Sequence, residues 1–471
     1  MNTLRQGIIY NTIGRYSNLA ISIFVQVFLA RLLSPAEFGI VAIVNVFLVF
    51  FQMLADFGIG PALIQRKDID RVEINHIFSF SVYFSVILAL IFITLSVPIS
   101  NFYRNPELKS AMPLMSIVLL FNSLLMVPQN LLLKDKQFKF VNLTQILGSI
   151  VNGLVSIILA LLGFSYIAII IGSIARGFTQ LAIFVFRTRL KFSIKFSIKP
   201  LNKIFSFAKN QLLFNIVNYF SRNLDNLLIG RYMSPDQLGF YDKAYQLTLY
   251  PNTIFTGVIT SAIQPVFSDY QEDLSKIMNG YLSISRILAN FSIPLTIFVH
   301  FAGKDIILLL YGDQWVNSVI VFQILSISIW IQMLQASTGA FFQSANRTDL
   351  LLLSGVLSTT FNVISIVIGV YLGSIIWIAF MVVISFSFNF IQTNYLLMNK
   401  AFNNSLINFF IILIKPIIVG VITLLSFVLL PNYNFTPFIN LFIEGLIFMA
   451  SLCIGLILTN QLKDALNLVK K

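Results

Sequence analysis

Charged side chains are scarce in this sequence. Asp, Glu, Lys and Arg make up 10% of its 471 residues, against roughly a quarter in an ordinary soluble domain. A soluble fold of this length needs a charged outer shell, so a water-soluble globular enzyme is excluded. Cysteine is nearly absent. Cys453 stands alone, which excludes an internal disulfide and a cysteine-based metal site. Histidine occurs only at His76 and His300, far apart and without neighbouring ligands. There is no HExxH, no GxSxG and no Walker loop. No stretch is polar enough to be a nucleotide-binding domain, so an ATP-driven pump is excluded. These absences predict no catalytic residue, no metal site and no cofactor.

What is present is apolar. AVILMFWYC residues are 57% of the chain and the mean hydropathy is +0.87. Disorder needs the opposite composition, so the remaining class is an all-α polytopic membrane protein, with lipid as solvent for its outer face. Runs long enough to span a bilayer number about fourteen. They fall at 13–33, 38–62, 74–100, 110–131, 141–163, 165–187, 204–230, 237–262, 277–301, 317–341, 350–372, 374–398, 408–430 and 438–460. The first is too long for a signal-peptide core and lacks a small-x-small cleavage site, so it reads as a spanning helix.

The formal net charge is +13. With the N-terminus placed inside, inner segments hold 21 of the Lys and Arg residues. Outer segments hold 6: Arg31, Arg104, Lys109, Arg231, Lys243 and Lys304. This bias predicts an even helix count with both termini cytoplasmic. The basicity is then a topology signal, and nucleic acid is not an expected partner.

Two internal matches organise the chain. Arg31-Leu-Leu-Ser-Pro-Ala-Glu-Phe-Gly39 matches Arg231-Tyr-Met-Ser-Pro-Asp-Gln-Leu-Gly239 at an offset of 200, and Asn18 matches Asn218. Asn152 and Leu162-Gly163 match Asn362 and Leu372-Gly373 at an offset of 210. Six helices separate the copies, so the repeats are parallel and related by an axis along the membrane normal. The expected division is an N-lobe at 1–187 (helices 1–6), a basic cytoplasmic linker at 188–203 and a C-lobe at 204–398 (helices 7–12). Two further helices and an amphipathic tail follow at 399–471, with Leu462, Leu466 and Val469 on the apolar face of the tail.

Ionisable residues deep in a span are costly unless they face protein or water. Arg222 and Asp225 share a face of helix 7 at i,i+3 spacing, near Asn218, Asn223 and Asn226. They predict a wet, cavity-facing strip or a structural ion pair. Arg176, in mid-helix 6, cannot readily snorkel and is expected to face a cavity or an acid. Arg15 and Arg286 lie nearer helix ends and are weaker candidates of the same kind. Asp56 precedes Gly58 and reads as a helix-end residue. Arg31 and Arg231 read as structural caps on the repeated turn. Tyr241 and Tyr245, with Asp242, Lys243 and Gln246, form a strip too polar for lipid; it suits either sugar binding or a membrane interface.

Several segments carry a family resemblance. Leu29-Ala-Arg-Leu-Leu-Ser-Pro-Ala-Glu-Phe-Gly39 resembles the helix 1–2 turn of bacterial polysaccharide transporters, and Leu54-Ala-Asp-Phe-Gly58 is similar to their helix 2 ending. Asn223-Leu-Asp-Asn-Leu-Leu-Ile-Gly230 and Leu238-Gly-Phe-Tyr-Asp-Lys-Ala-Tyr245 resemble their helix 7–8 signature, and Leu310-Tyr-Gly-Asp-Gln-Trp315 their outer loop before helix 10. The family is the polysaccharide transporter, Wzx-type, branch of the MOP (MATE-like) flippase superfamily. The resemblance implies two six-helix lobes around a central cavity, with two extra helices. It implies flipping of undecaprenyl-diphosphate-linked oligosaccharide, the repeat unit of O-antigen, capsule or exopolysaccharide, across the bacterial cytoplasmic membrane by alternating access. Expected partners are the membrane, that lipid-linked oligosaccharide, and a polymerase and other glycan-assembly proteins. An Arg-bearing cavity suits a diphosphate. A coupling cation, H+ or Na+, is compatible with Asp225; transport in vesicles that survives collapse of both gradients would exclude it. The alternatives are a cation-coupled multidrug exporter of the same superfamily and a membrane-embedded glycan-assembly enzyme or scaffold. Excess Arg over acid in the spans disfavours the first. The short outer loop near 302–316 disfavours the enzyme.

Overall fold

In lipid every backbone N–H and C=O must be satisfied within the segment, and long Leu, Ile, Val and Phe runs meet that demand as helices. The computed structural model describes residues 3–56, 59–65, 69–194, 197, 219–220, 222–267, 270–271, 273–430 and 435–461. Asn218, the linker beyond residue 197, most of the span expected at 204–230 and the tail beyond 461 lie outside the described residues. The chain divides into two compact units, Met1–Gly239 and Phe240–Lys471.

The first unit is built from α1 (Thr3–Leu32), α2 (Pro35–Asp56), α3 (Ile59–Gln65), α4 (Arg71–Thr94), α5 (Ser96–Tyr103), α6 (Leu108–Lys134), α7 (Phe138–Leu161), α8 (Ile167–Thr188) and α9 at 222–232. Helix α6 is central, packing on α2, α4 and α8, while α7 packs on α1 and α8. Asp70 and Glu73 form a capping box at the start of α4. The chain leaving α8 runs along α4. Arg71 donates to the Thr188 carbonyl, Lys191 N donates to Asn75 Oδ1 at 3.0 Å and Ser193 N to Ser79 Oγ at 2.9 Å.

Helix α10 (Pro235–Phe267) leads into the second unit, which holds α11 (Leu274–Phe301), α12 (Gly303–Tyr311), α13 (Val316–Ser326), α14 (Ile329–Gln335), α15 (Thr338–Ser344), α16 (Thr348–Tyr371), α17 (Ile375–Tyr395), α18 (Leu406–Val428) and α19 (Pro437–Leu458). Helix α16 packs on α17, and the last two helices pack on α11 and on each other. Polar side chains tie α16 to α17: Gln392 Nε2 lies 3.0 Å from Ser354 Oγ and 3.2 Å from Ser358 Oγ, and Ser354 Oγ lies 2.8 Å from Thr393 Oγ1.

Among the described residues, eleven helices are long and apolar enough to cross a membrane. Asp313–Ser326 and Ile329–Ser344, bent by 48°, make a twelfth if they are one span. The chain is therefore a multi-pass, all-helical membrane protein. The expected count of about fourteen exceeds this by two, and both differences have a location. The run at 204–230 lies mostly outside the described residues. The run at 237–262 is present in α10, but Asp242, Lys243, Gln246 and Asn252 make that 33-residue helix less apolar than its neighbours. Lys243, assigned above to an outer segment, is instead buried within α10 at 1% exposure, 3.5 Å from Gln246 Oε1. Gln246 Nε2 in turn donates to Asp242 Oδ2 at 2.7 Å. Helix packing, not water, solvates this cation.

Both repeated turns fold alike in their two copies. Gly163 (φ 83°) and Gly373 (φ 77°) each end a helix in the left-handed region, where a side chain is strained. Gly163 N donates to Ala160 O at 3.0 Å, and Gly373 N to Val370 O at 2.9 Å. In the other pair, Leu33 N donates to Leu29 O and Met233 N to Ile229 O, both at 2.9 Å. Proline then opens the next helix in each copy, where its missing N–H costs nothing. Ser34 and Glu37 complete a capping box, with Ser34 N 2.6 Å from Glu37 Oε2; Gln237 N reaches Ser234 Oγ at 3.3 Å.

These two turns also meet. A Cβ added to Gly39 would collide with the carbonyl oxygen of Pro235, and one added to Gly239 with the carbonyl oxygen of Pro35. The contact is reciprocal and involves backbone on both sides. Glycine is required here by close approach rather than by φ.

Candidate functional site

Four helices of the first unit turn a polar stripe toward a common cavity of about 530 Å³. Helix α2 supplies Asn45, Gln52 and Asp56, and α6 supplies Asn122, Gln129 and Asn130. Helix α7 supplies Gln145 and Asn152, and α8 supplies Ser173, Arg176 and Gln180. Apart from the adjacent Gln129 and Asn130, the members of each set stand three, four, seven or eight residues apart, or eleven from end to end in α2, the spacing of one helical face. A stripe of amides inside a membrane bundle is stable only where protein or water solvates it, and here the stripes face one another around a polar chamber.

Arg176 is the cation of this chamber. Its guanidinium makes no hydrogen bond or ion pair with any described residue, although it lies mid-way along α8 and lines the cavity. Its five N–H donors are therefore unspent. Gln180, one turn further on, is 6% exposed and its Nε2 has no hydrogen-bond partner. Arg176 is exposed to the chamber, and the buried Gln180 Nε2 beside it has no partner; a free cation and an unpaired buried amide on one face of one helix suit a polar or anionic ligand.

The other sequence candidates are dispersed. Arg222 is exposed on α9 and makes no ion pair with a described residue, so the Arg222–Asp225 pairing that the spacing allows is not formed. Asp225 is buried at 4% exposure, its Oδ1 accepting from Asn226 N at 2.9 Å. Arg15 is exposed on α1, and Arg286 is half-buried on α11 in the second unit. Tyr241 is fully buried and stacks on Tyr245 with centroids 6.0 Å apart; neither lines the chamber. Asn218 lies outside the described residues. Asp56 lines the chamber from the last turn of α2 rather than merely ending a helix.

Arg231 departs from its expected role. It donates to no carbonyl of the repeated turn. Its guanidinium instead lies 5.0 Å from the ring centroid of Phe102 and 5.5 Å from that of Tyr232, an arrangement that stabilises a cation against aromatic faces. Of the chamber amides the sequence singles out only Asn152, and that as a repeat match rather than a site residue. A signal was available in their helical spacing, but a neutral amide in an apolar run attracts less notice than a charge.

Comparison with known proteins adds to this geometry. The family profile described as polysaccharide biosynthesis protein matches residues 28–320. The chain is 27% identical to the teichuronic acid biosynthesis protein TuaB of Bacillus subtilis (strain 168), over 74% of this chain and 73% of that protein. It is 21% identical to the lipopolysaccharide biosynthesis protein WzxC of Escherichia coli (strain K12), over 72% and 70% of the two chains. Among solved structures, the lipid II flippase MurJ in its inward closed conformation shares the fold with a TM-score of 0.76, at 14% identity, covering 97% of this chain and 99% of that one. An inward-facing multidrug resistance MATE family transporter of the MOP superfamily aligns with a TM-score of 0.60, at 15% identity, over 81% and 97%.

Proposed function

The chain belongs to the polysaccharide biosynthesis protein family, and from that premise we propose that it flips lipid-linked oligosaccharide across the membrane by alternating access. The carrying observation is the unpaired Arg176 guanidinium in a chamber lined by amides. Amides and Ser173 match sugar hydroxyls, which both donate and accept, and Arg176 matches an oxyanion such as the diphosphate of a lipid carrier. A volume of about 530 Å³ is in the range of small-molecule sites. It holds a headgroup portion, while a lipid tail stays in the bilayer. In this reading both termini are cytoplasmic and the chamber loads from the inner leaflet. The relatives support it: one is named a lipopolysaccharide biosynthesis protein, another, of Haloferax volcanii, a probable low-salt glycan biosynthesis flippase.

Deletion of the gene tests the reading. Glycan attached to its lipid carrier is expected to accumulate on the inner face, with surface glycan lost, and mass analysis of the lipid extract reads both. Loss of surface glycan without accumulation of the lipid-linked form would point to an assembly enzyme or scaffold instead.

A further inference from the structure

A second cavity, of about 450 Å³, lies in the first unit beside the meeting of the repeated turns. It is bounded by the turn between α5 and α6 and by the end of α9. Six residues give it its chemistry: Tyr103, Arg104, Asn105 and Glu107 from the first, Arg231 and Tyr232 from the second.

Most of the polar groups of this niche are unspent. The Tyr103 side chain is 6% exposed, and its hydroxyl makes no hydrogen bond with a described residue. Asn105 is 9% exposed; its Oδ1 accepts from Glu107 N at 3.0 Å, and its Nδ2 makes no hydrogen bond with a described residue. Arg231, held between Phe102 and Tyr232, makes no hydrogen bond or ion pair with a described residue, and neither does the side chain of Arg104. Arg104 itself sits at φ 54° as the left-handed C-cap that ends α5. The Tyr103 hydroxyl and Asn105 Nδ2 line the cavity beside the Arg231 guanidinium, so three donors left unspent by protein are presented to whatever enters it.

The mixture of groups identifies its class. Two arginines and one glutamate favour an anion over a cation. A bare phosphate would use only donors and would be repelled by Glu107. A sugar acid presents one carboxylate and several hydroxyls. The carboxylate suits the planar fork of Arg231. The hydroxyls suit Glu107 as acceptor and Tyr103 and Asn105 as partners, and the exposed Tyr232 ring offers an apolar face with a polar tip.

We propose that this niche is a second, extracytoplasmic binding site for an acidic sugar, in which Arg231 holds the carboxylate and Tyr103, Asn105 and Glu107 hold the hydroxyls. The loop charges put these turns outside, so the site is placed to receive glycan after it has crossed. That sequence of events rests on the proposed function; the binding itself does not.

The test uses the full chain in phosphatidylcholine nanodiscs, with D-glucuronate, D-glucose and inorganic phosphate as probes, in saturation-transfer NMR titrations. An Arg176→Ala background removes the chamber cation as a competing site. Glucuronate is expected to bind at least tenfold more tightly than glucose. Arg231→Gln is expected to weaken it at least tenfold, and Tyr103→Phe, which keeps the ring packing, about threefold. Arg231→Lys restores part of the affinity if the charge matters and the fold is intact. Glucuronate binding that is unchanged by Arg231→Gln, or no tighter than glucose, overturns the assignment. Binding of phosphate with glucuronate silent also overturns it and marks a lipid-headgroup site. Because the readout is binding, it stands apart from any failure of the flipping reaction.

Discussion

Replacing Arg176 by alanine is expected to lower surface glycan at least tenfold while leaving the protein in the membrane at its normal level. The guanidinium has no protein partner to lose, so the fold gives up little when it is removed. What is lost is the charge-assisted contact with the ligand. A hydrogen bond to a charged group contributes about 1.5–3 kcal/mol, and the lower end of that range is already about tenfold. Arg176→Lys keeps the charge and loses the planar fork, so it should recover part of the activity if an oxyanion is the ligand. Arg222→Ala, on the exposed face of α9, belongs in the same assay. Glycan staining and an immunoblot of membranes read the result. Wild-type glycan from Arg176→Ala would remove the chamber from the transport route.

The second large effect concerns the meeting of the repeated turns. Gly39→Ala or Gly239→Ala puts a methyl group onto a proline carbonyl of the other copy. Overpacking of this kind costs about 1–3 kcal/mol. The obstacle is backbone, so a rotamer change cannot relieve it. The arrangement described above is then disfavoured relative to any state in which the turns separate, by about 5- to 150-fold. In a Cys453→Ser background, a cysteine placed at Ala36 beside the crossing should react faster with a membrane-impermeant maleimide when either glycine is changed. Transport should fall as well, because a cycle that depends on closing this end cannot close it. An unchanged labelling rate together with unchanged transport would show that the turns need not meet.

Much of the fold was legible because it rests on local chemistry. The repeated turn needs a serine that caps, a proline that opens a helix without a spare N–H, and a glycine four residues later; all three are visible in the sequence. The spans follow from apolar run length, and α10 escapes the structural count because Asp242, Lys243, Gln246 and Asn252 make it less apolar, although Gln246 meets both Asp242 and Lys243 within the helix. Arg176 was legible because an unpaired charge in mid-span is expensive. The amides around it were not, since a single Asn or Gln is cheap enough to occur anywhere, and only packing of four helices shows that their stripes converge. Arg231 was visible but assigned to the wrong partner. Its actual partners include Phe102, distant in sequence, and the unspent Tyr103 and Asn105 lie in a short turn that carried no motif.

The Gly39–Pro235 and Gly239–Pro35 contacts have the form of an isologous interface, in which residue i meets j and j meets i. Such an interface normally belongs to a homodimer; here both halves are written into one chain. Each residue of the crossing is thus one side of two identical fits. A change at either glycine disturbs one fit and leaves its twin intact, and a re-fitted crossing requires matched changes in both copies. Flanking positions are free of that condition, and they have diverged: Leu32 and Leu33 stand opposite Tyr232 and Met233, while Ser, Pro and Gly are the same in both copies.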